Sequence, residues 1–193
     1  GYRGVETFGS KVADYEARPL ELRRAMEDRG LTLTGLYVFG DYFKPDTAPA
    51  EIETALRSAR LLAGVGTGVL VAGPGTRQPA PLAADQFDRL AEGLNEIGRR
   101  ARALGVMACF HPHFGTTVQT REEVGAVLDR TDPTLVAFNP DSGHLVKGGC
   151  DLAEVTASYL SRITYVHLKD MKPDGTFVAL GEGIVDHPPM FDL

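Results

Sequence analysis

Cysteine, surplus basic charge and long apolar runs are all scarce in this sequence. Two cysteines, Cys109 and Cys150, are too few for a disulfide framework, so a reducing, cytoplasmic setting is the default expectation. Lys and Arg number 20 against 26 Asp and Glu, for a net charge of −6. A nucleic-acid-binding surface needs a basic surplus, so no nucleic-acid partner is expected. Apolar stretches run to about seven residues, far short of the roughly 20 that span a bilayer, and no membrane partner is expected either. Linkers, low-complexity tracts and a second composition regime are missing too. The 193 residues, 43% of them hydrophobic and 24% charged, read as one globular domain over 1–193.

The ends are abrupt. Gly1-Tyr-Arg-Gly-Val-Glu-Thr-Phe8 offers neither an initiator Met nor a signal segment, and Pro188-Pro-Met-Phe-Asp-Leu193 stops without punctuation. The sequence reads as the interior of a longer chain.

Between the ends, short apolar runs alternate with amphipathic ones. Strands are expected at Val5–Phe8, Leu31–Val38, Thr67–Ala72, Val106–His111, Leu135–Asn139 and Ile163–Leu168. Helices are expected at Pro19–Arg29, stopped by Gly30, at Pro49–Ala63, at Ala83–Leu104, stopped by Gly105, at Thr120–Asp129 and at Asp151–Leu160. Thr120 and Glu123 have the spacing of a capping box. Strands separated by helices make a parallel sheet, either doubly wound and open or closed as a barrel. A full eight-unit barrel takes roughly 250 residues, so about six units would leave one or two outside the sequence.

In both architectures, chemistry gathers where strands end at their C-terminal edge. Three successive strands deliver costly polar residues there. One ends in His111 and His113, the next in Asn139 and Asp141 with His144 just beyond, and the third in His167 and Lys169. In each pair the residues are two apart, so their side chains leave one face. Each residue alone has a plainer reading. A strand-end His is commonly a hydrogen-bonded core residue, Asp141 before Ser142-Gly143-His144 reads as a turn cap, and Lys169-Asp170 reads as a surface pair. Threefold repetition of the placement is harder to dismiss. Imidazole and carboxylate together suit Zn, Mn, Fe or Co. With no thiolate in the set, a closed structural zinc site is not expected. A metal with an open position can stabilise an enediolate formed by proton abstraction beside a carbonyl, with Lys169 or a carboxylate as acid or base.

Two glycine clusters do not read as phosphate cradles. Gly64-Val-Gly-Thr-Gly68 follows a helix rather than preceding one, and Gly73-Pro-Gly75 lacks the Lys-Ser/Thr of a P-loop.

Several segments resemble the xylose-isomerase-like TIM-barrel superfamily, the sugar phosphate isomerase/epimerase group, and most of all its inosose dehydratase branch. Phe110-His-Pro-His-Phe-Gly-Thr-Thr-Val-Gln-Thr120 is similar to the fifth-strand motif. Thr131-Asp-Pro133, Asp141-Ser-Gly-His144 and Gly148-Gly149 are similar to the sixth-strand segment. Arg162-Ile-Thr-Tyr-Val-His-Leu-Lys-Asp170 is similar to the seventh strand, and Leu180-Gly-Glu-Gly-Ile-Val-Asp186 to the loop before the last helix.

The resemblance implies an α/β fold, a (β/α)8 TIM barrel that lacks its first and last strands in this sequence, and with them an eighth-strand Glu ligand. It implies that His111, standing where many relatives have Glu, holds a divalent metal (Mn, Co, Mg or Zn) together with Asp141 and His167. It places His113, His144 and Lys169 against substrate, and makes Lys169, His144 and Glu6 the catalytic candidates. The implied activity is isomerisation, epimerisation or dehydration of a small keto-sugar or keto-inositol, in a chain that forms a homodimer or tetramer. A metal-dependent endonuclease-type hydrolase is the alternative within enzymes, and the acidic charge opposes it. A non-catalytic binding module on a degraded barrel is the alternative outside them.

Overall fold

A computed structural model describes residues 1–193. Five parallel strands lie in sequence order in one sheet: β1 (Gly4–Phe8), β2 (Thr32–Gly40), β3 (Val69–Pro74), β4 (Met107–Phe110) and β5 (Val136–Phe138). Helices α1 (Pro19–Glu27), α2 (Ala48–Val65), α3 (Ala84–Ala103) and α4 (Arg121–Leu128) make the crossovers between them. This is the strand–helix alternation expected from the sequence, laid out as one wall of a barrel.

Local chemistry accounts for each element. Along α3, Leu90, Leu94, Ile97 and Ala101 are buried at helical spacing and pack the outer face of the sheet. Each buried leucine there is worth roughly 2 kcal/mol, more than intrinsic helix propensity supplies. Helix α2 ends at Gly66, whose left-handed backbone (φ 83°) turns its N–H back to Leu62 O at 2.9 Å, and Thr67 N–H reaches the same carbonyl. The first glycine cluster is therefore a helix stop. Thr120 caps α4 by accepting from Glu123 N–H, and the Glu123 carboxylate accepts from Thr120 N–H at 3.1 Å, so the capping box is present.

Beyond β5 come α5 (Ser142–Lys147), α6 (Leu152–Ser158), a hairpin of β6 (Asp170–Met171) and β7 (Phe177–Val178), and α7 (Pro188–Phe191). Asp151 caps α6 through Glu154 N–H at 2.9 Å, which trims the helix expected over 151–160.

The expected sixth strand over 163–168 is the main departure. It is extended, yet it joins β5 through only two isolated bridges, Phe138 to Ile163 and Asp141 to His167, and the register slips by one residue between them. Pro140 has no N–H to give a regular ladder, and its carbonyl instead accepts from His167 N–H at 3.0 Å. Arg162 anchors the start of the segment, donating to Leu128 O, Thr131 Oγ1 and Val136 O at 2.5–2.7 Å. The sheet curls without closing. β1 and the 163–168 segment meet across its concave face through side chains, as in Glu6 Oε2 to His167 Nε2 at 3.0 Å.

Candidate active site

The C-terminal ends of the strands surround a cavity of about 420 Å³. Glu6 from β1, Tyr37 from β2, and His111 and His113 just past β4 line it, with His167 and Lys169 opposite. Pro74 and Gly75 form part of its rim, which places the second glycine cluster at the cavity.

Beneath the lining lies Asp141, fully buried. Its Oδ2 is the centre of the polar cluster. His111 Nε2 is 3.3 Å from it, His167 Nδ1 is 3.7 Å from it, and the Lys169 ammonium is ion-paired to it. One ligand atom from each of His111, Asp141 and His167 falls within 4.8 Å of the others. Asp141 Oδ1 accepts from His144 N–H at 2.9 Å and caps α5. The cap reading and the cluster reading of Asp141 both hold, one for each oxygen. Lys169 makes no pair with Asp170, whose carboxylate instead collects the N–H groups of Met171, Gly181, Gly183 and Val185 at 2.8–3.0 Å. That carboxylate gives the 180–186 segment its shape.

Burial sets the charges. It pushes His111 well below the usual imidazole range in spite of the carboxylate beside it, so His111 is neutral. Burial alone would raise Asp141, but the His111 hydrogen bond and the Lys169 charge outweigh it and hold the carboxyl ionised. His113 is lowered, chiefly by burial. His144 falls to about 3 for the same reason.

His113 and His144 stack with ring centroids 3.5 Å apart, and Phe177 meets His144 edge-on at 5.1 Å. His144 therefore belongs to the cluster but lies behind His113 and does not line the cavity. His113 Nδ1–H donates to Phe114 O at 2.7 Å, because a carbonyl can only accept; Nε2 is left with its lone pair. Glu6 reaches the cluster from the opposite edge, with Oε2 3.0 Å from His167 Nε2.

Sequence reasoning passed over Tyr37. Its ring meets His111 edge-on at 5.3 Å, and burial together with the charges of Glu6 and Asp141 pushes its hydroxyl above the usual phenol range. It sits two residues before Phe39 in an apolar strand, so only its period-2 register marked it as cavity-facing. Phe8, Phe39 and Phe114 add apolar walls that were likewise unmarked.

The donor set fits a divalent transition metal. Two imidazoles and a carboxylate converge on one point. An ammonium already seeks that same carboxylate oxygen.

The model of the xylose isomerase-like TIM-barrel family matches residues 1–193. Inosose dehydratase of Clostridium perfringens (strain ATCC 13124) is 38% identical over 127 residues, 56% of this chain and 43% of that protein. Inosose dehydratase of Bacillus cereus (strain AH820) is 27% identical over 223 aligned positions, covering 100% of this chain and 73% of the relative. The chain thus spans less than half of the first relative's length and about three quarters of the second's. Among solved structures, the IOLI protein with a bound zinc atom superposes at a TM-score of 0.83 and 18% identity, over 100% of this chain and 74% of that one. That likeness shows the fold alone. With parallel strands, crossover helices and polar strand ends in place, and the family match running the length of the sequence, the chain belongs to the xylose isomerase-like TIM-barrel family.

Proposed function

We propose that the protein is a metal-dependent enzyme that removes a proton beside the carbonyl of a small polyhydroxylated ketone, with a keto-inositol as the favoured substrate and dehydration as the favoured outcome. One observation carries this reading: His111, Asp141 and His167 converge at the floor of a cavity whose wall also carries Lys169 and His113. The relatives named inosose dehydratase support the substrate class. The zinc-bearing IOLI structure supports a divalent ion.

His111, Asp141 and His167 would hold the ion. When bound, Mn, Co, Mg or Zn supplies Lewis acidity to a substrate oxygen. The chain's own residues supply the rest. His113, neutral and with Nδ1–H committed to Phe114 O, presents Nε2 as the proton acceptor. Lys169 offers N–H donors and positive charge to the oxygen that gains negative charge. Tyr37 and Glu6 offer hydroxyl and carboxylate partners for substrate hydroxyls, and Phe8, Phe39 and Phe114 exclude water from the rim. His144 backs the His113 ring and keeps its plane fixed.

The test is exchange of the proton beside the carbonyl into deuterated water, followed by NMR for keto-inositols and ketoses with each metal in turn. Metal-dependent exchange of a keto-inositol, abolished by Asp141→Asn, is expected. No exchange of any of these compounds with any of the four metals would overturn the proposal.

A further inference from the structure

We infer that Glu6 is a positioning residue: its carboxylate fixes the tautomer and plane of His167, so that Nδ1 turns its lone pair toward Asp141. The inference deepens the proposed function and rests on the metal-holding role given there to His167. It moves Glu6 away from the proton-transfer role that the sequence suggests.

Three independent features build this contact. First, Glu6 Oε2 lies 3.0 Å from His167 Nε2, while the other ring nitrogen, Nδ1, lies 3.7 Å from Asp141 Oδ2. A carboxylate oxygen accepts, so the proton resides on Nε2 and the lone pair on Nδ1. A carboxylate behind a metal-binding imidazole sets its tautomer and raises its basicity.

Second, the β1–β2 register shifts between Val5 and Glu6. Val5 pairs with Leu33 and Glu6 with Gly35, which skips Thr34. Such a bulge bends the strand that carries the extra residue, here β2. The extra residue, Thr34, lies on β2; an unbroken ladder would set Thr34 rather than Gly35 opposite Glu6.

Third, Gly35 lies against the carboxylate. A Cβ at position 35 would lie 3.4 Å from Glu6 Oε2, 3.0 Å from Val69 O and 3.6 Å from Tyr165 Oη. Tyr165 bonds Thr34 Oγ1 at 3.0 Å and stands 5.6 Å, edge to face, from the His167 ring. The residue skipped by the bulge thus holds the tyrosine that braces His167. Glu6 and His167 side chains are only 19% and 21% exposed, so water competes weakly for the bond.

The tautomer can be read without any metal. In the full-length metal-free protein, two-dimensional ¹H–¹⁵N correlation of the imidazole nitrogens should show His167 as the Nε2–H form. Glu6→Ala should yield a mixture of tautomers, and Glu6→Gln, whose amide oxygen still accepts, should restore Nε2–H. Zinc affinity, measured by chelator competition, should weaken roughly 10–100-fold in Glu6→Ala and less in Glu6→Gln. Glu6→Ala that keeps pure Nε2–H and parental zinc affinity, with an unchanged circular dichroism spectrum, would overturn the inference. Asp141→Asn separates the two readings. If it binds zinc like the parent, the metal reading fails, and the metal-free spectra still decide whether Glu6 holds His167.

Discussion

Lys169 and His167 face one oxygen. The Lys169 ammonium is paired with Asp141 Oδ2, and His167 Nδ1 faces that same atom from 3.7 Å. A metal entering between the two histidines must share that oxygen with the ammonium or displace it.

Lys169→Met is therefore expected to act in opposite directions on stability and on metal affinity. Without the ammonium, a fully buried carboxylate loses its cationic partner, at a cost of about 1–3 kcal/mol in the metal-free protein. Zinc affinity should rise, because the competitor is gone, while turnover falls. Thermal melts with and without zinc, beside chelator competition, check all three. A variant that melts like the parent and binds zinc more weakly would contradict the shared-oxygen geometry.

Asp141→Asn and Asp141→Ala should separate the residue's two tasks. Asn still caps α5 through its side-chain oxygen but loses the charge, so metal-induced stabilisation disappears while helix content holds. Ala loses the cap as well, a further cost of about 1 kcal/mol. The buried cap makes the Ala variant costly to the fold as well as to the metal site. Paired melting curves of the two variants measure the difference.

Both thiols should resist alkylation in the folded state. Burial raises Cys109 and Cys150 to about 11, so at pH 8 roughly one thiol in a thousand is thiolate. Iodoacetamide at pH 8 should leave the native protein unmodified and label both residues in denaturant. Rapid native labelling of Cys109 would contradict its complete burial.

Arg77→Met should loosen the cavity rim. Arg77 Nη1 donates to both oxygens of the buried Glu123, at 2.6 and 2.8 Å, tying the loop after β3 to the first turn of α4. Glu123 retains the N–H groups of Gln119 and Thr120, which limits the loss to about 1–2 kcal/mol, or a few degrees in Tm. KM should rise more than kcat falls, because the loop carries cavity wall and no metal ligand. Steady-state kinetics beside a melting curve decide it.

The repeating strand–helix unit and the chemistry at its strand ends were readable from the sequence for one reason. Each depends on a local period, 3.6 for Leu90, Leu94 and Ile97, and 2 for His111 and His113. Features that depend on distant partners were not readable. Nothing in Ile163–Leu168 shows that Pro140, on the neighbouring segment, would break its ladder. Nothing near Lys169 shows that its partner is Asp141 rather than the adjacent Asp170. Tyr37 looks like one more core aromatic until the barrel wall curves and turns it toward His111. The bulge that sets Gly35 opposite Glu6 exists only in the pairing of two strands.

Asp170 gathers four backbone N–H groups, and three of them belong to the segment that returns from the β6–β7 hairpin. The shape of that segment is thus written in a single carboxyl group rather than in the residues it spans. The tip of the hairpin, around Lys172 to Thr176, is released from any duty to shape the returning chain. Lengthening or rewriting that tip should leave the cavity floor undisturbed, which makes it the natural place for this scaffold to accept new sequence and Asp170 a place where it accepts none.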